Sequence, residues 1–180
     1  MSGARQQHLI LGGARSGKSR HAQNLAAASG LPVTVIATAQ GRDTEMAVRI
    51  ARHQAERPPH WRTIEQPLHL AEALQQAAGV GQCVLVDCLT LWLMNLIEAG
   101  EDVFARERGA LLQALPRLAG DILVVSNEVG LGVIPMGELS RRFVDEAGWL
   151  NQDIARCAGS VTFVAAGLPL ALKATAEETA

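Results

Sequence analysis

Residues 12–19 read Gly12-Gly13-Ala14-Arg15-Ser16-Gly17-Lys18-Ser19, which matches the pattern G-x-x-x-x-G-K-[ST]. An apolar run at 8–11 (HLIL) precedes this motif, and a helical pattern at 18–29 follows it. A phosphate-binding loop requires this context, because its glycines let backbone N–H groups turn inward around phosphate oxygens. The start of the following helix adds partial positive charge. The stretch therefore predicts a P-loop nucleotide-binding fold.

Three side chains in or near the loop are candidates for phosphate and metal chemistry. We expect Lys18 to reach the β- and γ-phosphates of a nucleotide and Ser19 to place its hydroxyl on Mg²⁺. A second acidic partner of the metal usually ends a buried neighbouring strand, and Asp87 ends the apolar part of CVLVDC at 83–88. The alternative role for Asp87 is to cap the next helix. The strand context favours a metal or nucleotide role.

Apolar runs of strand length recur along the chain and alternate with helical patterns. The runs are rich in Val and Ile and nearly continuous, which is typical of strands buried on both faces. The alternation predicts an α/β fold with a mostly parallel sheet and helices on both faces. The irregular stretch 58–67 leaves room for a short extra strand. The predicted strands cover 8–11, 33–38, 83–88, 121–127 and 161–167, and the predicted helices cover 18–29, 43–57, 68–78, 89–98, 104–119 and 137–158.

Length and composition predict one globular domain over residues 1–180, with a loose tail from about residue 174. Hydrophobic residues make up 48% of the 180 residues and charged residues 19%, which is ordinary for such a domain. A net charge of −2 and an aromatic content of 3% argue against a nucleic-acid partner. The sequence predicts no membrane span. The three cysteines form no C-x-x-C pair, and the expected location is the cytoplasm.

The segment 43–57 places a histidine between arginines at helical spacing. Arg49, His53 and Arg57 follow one another at i, i+4 and i+8, and so share one ridge of a helix. Arginines in that arrangement can neutralise a triphosphate, and the imidazole can attack phosphorus as a nucleophile. The pattern alone nevertheless favours a solvated basic helix face with an incidental histidine.

The residues after the late strand narrow the class of P-loop protein. A regulatory GTPase normally carries N-K-x-D there, whereas residues 126–130 read SNEVG. Large motor and transporter ATPases need a longer chain, so a small-molecule phosphotransferase fits the size. Two alternatives stay open at this point: a P-loop kinase of another small alcohol, and a non-enzymatic GTP- or ATP-binding switch.

Three longer motifs are more specific than the P-loop. They read E-M-A-x-R-I-x-x-H at 45–53, P-x-H-W-R-T at 58–63 and N-E-V-G-x-G-V-x-P at 127–135. With these stretches the chain resembles the bifunctional adenosylcobinamide kinase / adenosylcobinamide-phosphate guanylyltransferase family of cobalamin biosynthesis. The resemblance implies that a nucleoside triphosphate phosphorylates adenosylcobinamide. It also implies that GTP then donates GMP through a GMP–histidine intermediate, giving adenosyl-GDP-cobinamide and pyrophosphate.

The resemblance also implies roles for individual residues. It places the nucleophile at His53, which reverses the interpretation from the pattern alone. The family often carries Glu at the position of Asp87, whose side chain is one methylene shorter. Beyond the P-loop residues 12–19, it places nucleotide contacts at Ala37, Thr38, Ala39, Gln54, Ala55, Glu56, Arg57, Glu65 and Asp87.

Cofactors and partners follow from the same resemblance. It implies GTP and ATP as substrates and a homo-oligomer, a trimer in the family. The assignment of Mg²⁺ to Ser19 and Asp87 comes from the P-loop motif instead. The stretch 89–97 (LTLWLMNLI) is apolar nearly all round, which suits either a subunit contact or a helix buried within one subunit. Four polar residues of the last third of the chain are further candidates for lining the site: Asn127, Glu128, Asp145 and Glu146.

Overall fold

A computed structural model describes residues 6–40, 55 and 57–174. Its helices and strands lie close to the segments that the sequence predicts. Predicted helix 43–57 lies outside the described residues except for Ala55 and Arg57, and so does the predicted tail after Ala174. The strands are β1 Gln6–Gly12, β2 Val33–Ala37, β3 Arg62–Glu65, β4 Cys83–Asp87, β5 Asp121–Asn127, β6 Ser160–Ala165 and β7 Leu168–Lys173. The α-helices are α1 Lys18–Ala28, α2 Leu70–Ala77, α3 Leu89–Ala99, α4 Glu101–Ala114 and α5 Glu138–Cys157, with a 3₁₀ turn at Leu115–Arg117.

The strands form one seven-stranded sheet in the order β3-β2-β4-β5-β1-β6-β7. All neighbours pair in parallel except β6 and β7, which are antiparallel. This confirms the predicted α/β fold with a mostly parallel sheet, and strand β3 is the extra strand for which 58–67 left room. Strand β7 was not predicted. It follows a tight turn at Ala166 and Gly167, both with positive φ, and alanine at such a turn gives no local sequence signal.

Alternate residues of each central strand enter cores on opposite faces of the sheet. Leu9 and Leu11 pack with helices α2 to α5, whereas Ile10 packs with Ala22 and Ala26 of α1. Because both faces are covered, nearly every residue of such a strand is buried. This explains the continuous apolar runs in the sequence.

Helix α4 differs most from its prediction of 104–119. It begins at Glu101, directly after Gly100, and the acidic Glu101 and Asp102 lie in its first turn. Acidic side chains there are stabilised by the partial positive charge of the helix start. The α-helix ends at Ala114 and tightens into the 3₁₀ turn that holds Pro116, since proline has no N–H to continue the hydrogen bonding.

Helix α3 corresponds to the stretch that is apolar nearly all round. Trp92, Leu93 and Leu96 are fully buried in the core of the same chain, and the Trp92 indole N–H donates to the carbonyl of Leu68 at 2.7 Å. Burial within the chain accounts for its composition, so the apolar character of α3 no longer points to a subunit contact. None of the described helices has the length and apolar content needed to span a lipid bilayer.

Candidate active site

The loop between β1 and α1 has a backbone that only glycine permits at two positions. A Cβ at Gly12 would lie 2.5 Å from both the Ser16 hydroxyl oxygen and the Val164 carbonyl oxygen. Gly17, immediately before α1, has a φ of +97°, which lies in the left-handed region. The strand, the loop and the helix thus adopt the arrangement that the motif predicts.

The loop is held by its neighbours on both sides. The backbone N–H of Glu128, just after β5, donates to the carbonyl of Gly12 at 3.1 Å. On the other side, the N–H of Gly167 in the β6–β7 turn donates to the carbonyl of Ser16 at 2.8 Å. Sequence reasoning missed the second support, because it joins residues about 150 positions apart through an unpredicted hairpin.

Lys18 begins helix α1 with a buried side chain. Its Nζ donates to the carbonyl of Gly13, inside the loop, at 3.1 Å. Burial lowers the pKa of this ammonium group, while the nearby Cys88 and Asp87 act in the opposite direction. Lys18 therefore lies between the loop and the end of β4.

Arg57 and Asp87 form an ion pair at the end of β4. The Nη2 atom of Arg57 donates to Oδ2 of Asp87 at 3.1 Å, and only 6% of the Arg57 side chain and 17% of the Asp87 side chain are exposed. Two more guanidinium nitrogens of Arg57, Nε and Nη1, are buried without a hydrogen-bond partner among the described residues. Sequence reasoning proposed both residues separately, and the structure brings them together.

Three of the proposed contact residues line up at the carboxyl edge of the sheet. Ala37 at the end of β2 is paired with Glu65 of β3 on one side and with Asp87 of β4 on the other. Glu65 is exposed and Ala37 is buried. The carboxyl ends of parallel strands are where ligands bind in open α/β sheets.

Thr38 fastens the end of β2 to the end of β4. Its hydroxyl donates to the carbonyl of Cys88 at 2.7 Å and accepts from the Cys88 N–H at 3.0 Å. Asn95 of α3 donates to the Thr38 carbonyl at 2.9 Å. Thr38 is fully buried, so its side chain supports this edge from within, whereas the following Ala39 is half-buried.

Part of the proposed site lies outside the described residues. His53, Gln54 and Glu56 lie outside the described residues, and Ala55 between them is helical and exposed. Ser19 is half-buried on the first turn of α1, on the helix that also carries Lys18. Asp145 and Glu146 lie on α5, exposed and half-buried respectively.

A polar network supports the end of β5 beside the loop. The backbone N–H and the side-chain amide of Asn127 both donate to the Thr90 hydroxyl, at 2.8 and 2.9 Å. Asn151 of α5 donates to the Asn127 carbonyl at 3.2 Å. Sequence reasoning singled out Asn127 but missed Thr90 and Asn151. Their only signal was that each is a polar residue within a helix face that is otherwise buried and apolar.

Comparison with known proteins agrees with the family resemblance that the sequence motifs indicate. Residues 8–172 match the model of a family described as cobinamide kinase / cobinamide phosphate guanyltransferase. The chain is 61% identical over 166 residues to the bifunctional adenosylcobalamin biosynthesis protein CobP of Pseudomonas aeruginosa, which covers 92% of this chain and 96% of that protein. It is 38% identical over 179 residues to the protein CobU of Escherichia coli, with coverage of 92% and 98%.

Solved structures share the fold at low sequence identity. A protein from Pyrococcus horikoshii OT3 gives a TM-score of 0.57 at 12% identity, covering 97% of this chain and 89% of that one. The RadB recombinase gives 0.50 at 15% identity, with coverage of 90% and 74%. At these identities the likeness concerns the fold alone, and it is the fold of P-loop NTPases.

Proposed function

The chain belongs to the cobinamide kinase / cobinamide phosphate guanyltransferase family, and we propose that it performs both reactions of that family at one phosphate loop, residues 12–19. The enzyme phosphorylates adenosylcobinamide with a nucleoside triphosphate. It then transfers GMP from GTP to adenosylcobinamide phosphate. The two alternatives, a kinase of another alcohol and a nucleotide switch, have no support among the relatives.

The backbone at Gly12 and Gly17 is the observation that carries this proposal. With glycine required at both positions, the loop adopts a backbone that can place N–H groups around phosphate oxygens at the start of α1. Lys18 adds a positive charge beside the loop, 3.1 Å from the Gly13 carbonyl. In the kinase reaction these groups stabilise the negative charge on the γ-phosphoryl group as it moves to the acceptor hydroxyl.

His53 is the proposed nucleophile of the second reaction. Its neutral imidazole attacks the α-phosphorus of GTP, so that a P–N bond forms and the bond to the β-phosphate oxygen breaks, releasing pyrophosphate. A phosphate oxygen of adenosylcobinamide phosphate then attacks the same phosphorus and breaks the P–N bond. The support for His53 is the motif E-M-A-x-R-I-x-x-H together with membership of the family.

Arg57 supports this assignment from four residues away in the sequence. It is buried at Asp87, near Lys18, with two guanidinium nitrogens that have no partner among the described residues. An arginine with unused N–H groups beside a phosphate loop is suited to bind phosphate oxygens. The remaining nucleotide contacts in the proposal are Ala37, Thr38, Ala39, Gln54, Ala55, Glu56, Glu65 and Asp87.

The donor atoms near the loop fit Mg²⁺. The Ser19 hydroxyl and the Asp87 carboxylate are hard oxygen ligands, and Mg²⁺ in phosphoryl-transfer sites is usually held by one or two such groups together with substrate phosphates. We assign Ser19 and Asp87 to this role. When bound, the ion would neutralise charge on the phosphates of the donor nucleotide.

The proposal extends to assembly and location. Strand β7 is an edge strand with exposed Leu168, Leu170 and Leu172, and a sheet edge of this kind favours pairing with another chain. We propose that the chain forms a homo-oligomer in which the exposed leucines of β7 contact a different surface of a neighbouring subunit, a trimer by analogy with the family. We place the enzyme in the cytoplasm, where nucleoside triphosphates are available.

The products of the two reactions test the proposal. Wild type incubated with adenosylcobinamide, GTP and Mg²⁺ should yield adenosylcobinamide phosphate first and adenosyl-GDP-cobinamide later, as separated by reversed-phase chromatography. The His53→Asn variant should stop at adenosylcobinamide phosphate. If wild type also stops there, the chain is a kinase only. If neither protein consumes adenosylcobinamide, the proposed function is wrong.

A further inference from the structure

The segment between β5 and α5, residues 129–137, exposes an unusual number of large apolar side chains. Leu131, Val133, Ile134 and Met136 are all largely exposed, and Val133 reaches 97%. We call this segment the apolar loop. Large apolar side chains exposed together in one short segment are typical of a binding site, because they gain free energy when a ligand or partner covers them.

The apolar loop begins directly beside the phosphate loop. Asn127, the last residue of β5, is paired with Gly12 of β1, and the N–H of Glu128 donates to the Gly12 carbonyl at 3.1 Å. Leu131 follows Glu128 by three residues, so the two Cα atoms lie within about 11 Å of each other. A molecule that covers the start of the apolar loop therefore lies close to the place where the nucleotide phosphates bind.

Hydrogen bonds hold the backbone of the apolar loop near both ends. The Glu128 carboxylate accepts from the Gly130 N–H at 2.7 Å. The Arg141 guanidinium of α5 donates to the Met136 carbonyl at 2.5 Å and to the Pro135 carbonyl at 3.4 Å. A surface whose backbone is held in this way costs less conformational entropy to bind to than a free loop.

We propose that the apolar loop is the surface on which the corrin macrocycle of the acceptor docks; this inference rests on the proposed function. The acceptor must bring a hydroxyl group, and later a phosphate, to the phosphate loop, while its wide ring carries many methyl and methylene groups. The phosphate loop itself offers backbone N–H groups and mostly polar side chains. The apolar loop is continuous with it and supplies the apolar surface that the ring requires.

A second copy of the chain is the competing occupant. The leucines of β7 suit that role better, since they belong to a sheet edge that another strand can extend. The side chains of the apolar loop, in contrast, project from a connection outside the sheet. We therefore assign the two exposed apolar surfaces to different occupants.

Kinase kinetics of a double variant test this docking surface. Val133→Ser/Met136→Ser should raise the KM for adenosylcobinamide about tenfold, because the ring loses apolar contacts. The KM for GTP and the oligomeric mass measured by light scattering should stay as in wild type. Val80→Ser is the matched control. Val80 is 84% exposed, but it lies just before β4, at the amino ends of the parallel strands and away from the phosphate loop. It should leave both KM values unchanged.

Two results would overturn the inference. One is an unchanged KM for adenosylcobinamide in the double variant. The other is a raised KM that is accompanied by a change in oligomeric mass, which would assign the apolar loop to a subunit contact. Failure of the proposed function is separate from both, because wild type itself would then fail to phosphorylate adenosylcobinamide.

Discussion

Arg57 and Asp87, 30 residues apart in the sequence, are joined by a hydrogen-bonded ion pair of 3.1 Å. The pair joins Arg57, which follows the histidine motif by four residues in the sequence, to the end of β4, beside the phosphate loop. Only one of the guanidinium nitrogens is used in the pair, and the other two lack partners among the described residues. Arg57 can therefore hold the Asp87 carboxylate and bind a phosphate oxygen at the same time.

Loss of Arg57 should be costly to folding as well as to binding. Arg57→Met should lower the free energy of unfolding by about 3 kcal/mol, because it leaves a largely buried carboxylate without its partner. Arg106→Met is the matched control, since Arg106 is 59% exposed and its partner Glu107 keeps its contact with His69 when Arg106 is changed. That change should cost under about 1 kcal/mol. Urea denaturation measures both, and equal losses in the two variants would contradict the prediction.

Gly12 should tolerate no side chain. In Gly12→Ala the new Cβ would meet the Ser16 hydroxyl and the Val164 carbonyl at 2.5 Å, so we expect GTP affinity to fall at least about tenfold through displacement of the loop. Gly109→Ala, within helix α4 and with open space around it, should instead stabilise the protein by about 0.5–1 kcal/mol. Isothermal titration and thermal unfolding measure the two effects. Normal GTP binding by Gly12→Ala would show that the loop geometry is wrong.

The β6–β7 turn should influence nucleotide binding through the backbone alone. Gly167 has a φ of +79° and donates to Ser16, whereas Gly81 has a φ of +76° and lies before β4, away from the phosphate loop. Alanine at either position should cost about 1 kcal/mol of stability, since both adopt the left-handed region. Only Gly167→Ala should also weaken GTP binding. An identical GTP affinity in the two variants would mean that the turn does not position the loop.

The burial of Lys18 predicts a pH dependence of stability. Burial lowers the pKa of Lys18 below its ordinary value of 10.5. Between that lowered pKa and 10.5, the unfolded chain holds a proton that the folded chain has released, so stability rises with pH over this interval. The unfolding free energy of wild type minus that of Lys18→Met should therefore increase from pH 8 to pH 10.5. A flat or falling difference in urea denaturation would contradict the lowered pKa.

The sequence predicted those parts of the fold that have a local signal. Continuous apolar runs such as 121–127 identified buried strands because the sheet is covered on both faces. The glycines and lysine of residues 12–19 identified the loop because phosphate binding dictates their spacing. The turn at Ala166 and Gly167 carries no comparable signal, so β7 and its support of the loop were missed.

Contacts between distant segments could not be predicted in the same way. Asn127 and Glu128 were recognised as candidates, yet their partners Thr90 and Gly12 come from other elements. The exposure of the apolar loop could not be predicted either, since the composition of LGVIPM at 131–136 is that of a buried segment. Only the structure reveals that these side chains are exposed beside the phosphate loop.

The measurement that tests the central claim most directly is the intact mass of the protein after incubation with GTP and Mg²⁺, without any corrinoid. Wild type should gain one GMP moiety, and this adduct should be lost in acid but survive alkali, as expected of a phosphoramidate. His60→Asn, a change at an exposed histidine before β3, should also gain the adduct, whereas His53→Asn should gain none. A wild-type protein that binds GTP but gains no mass, or a His53→Asn variant that still gains it, would contradict the account.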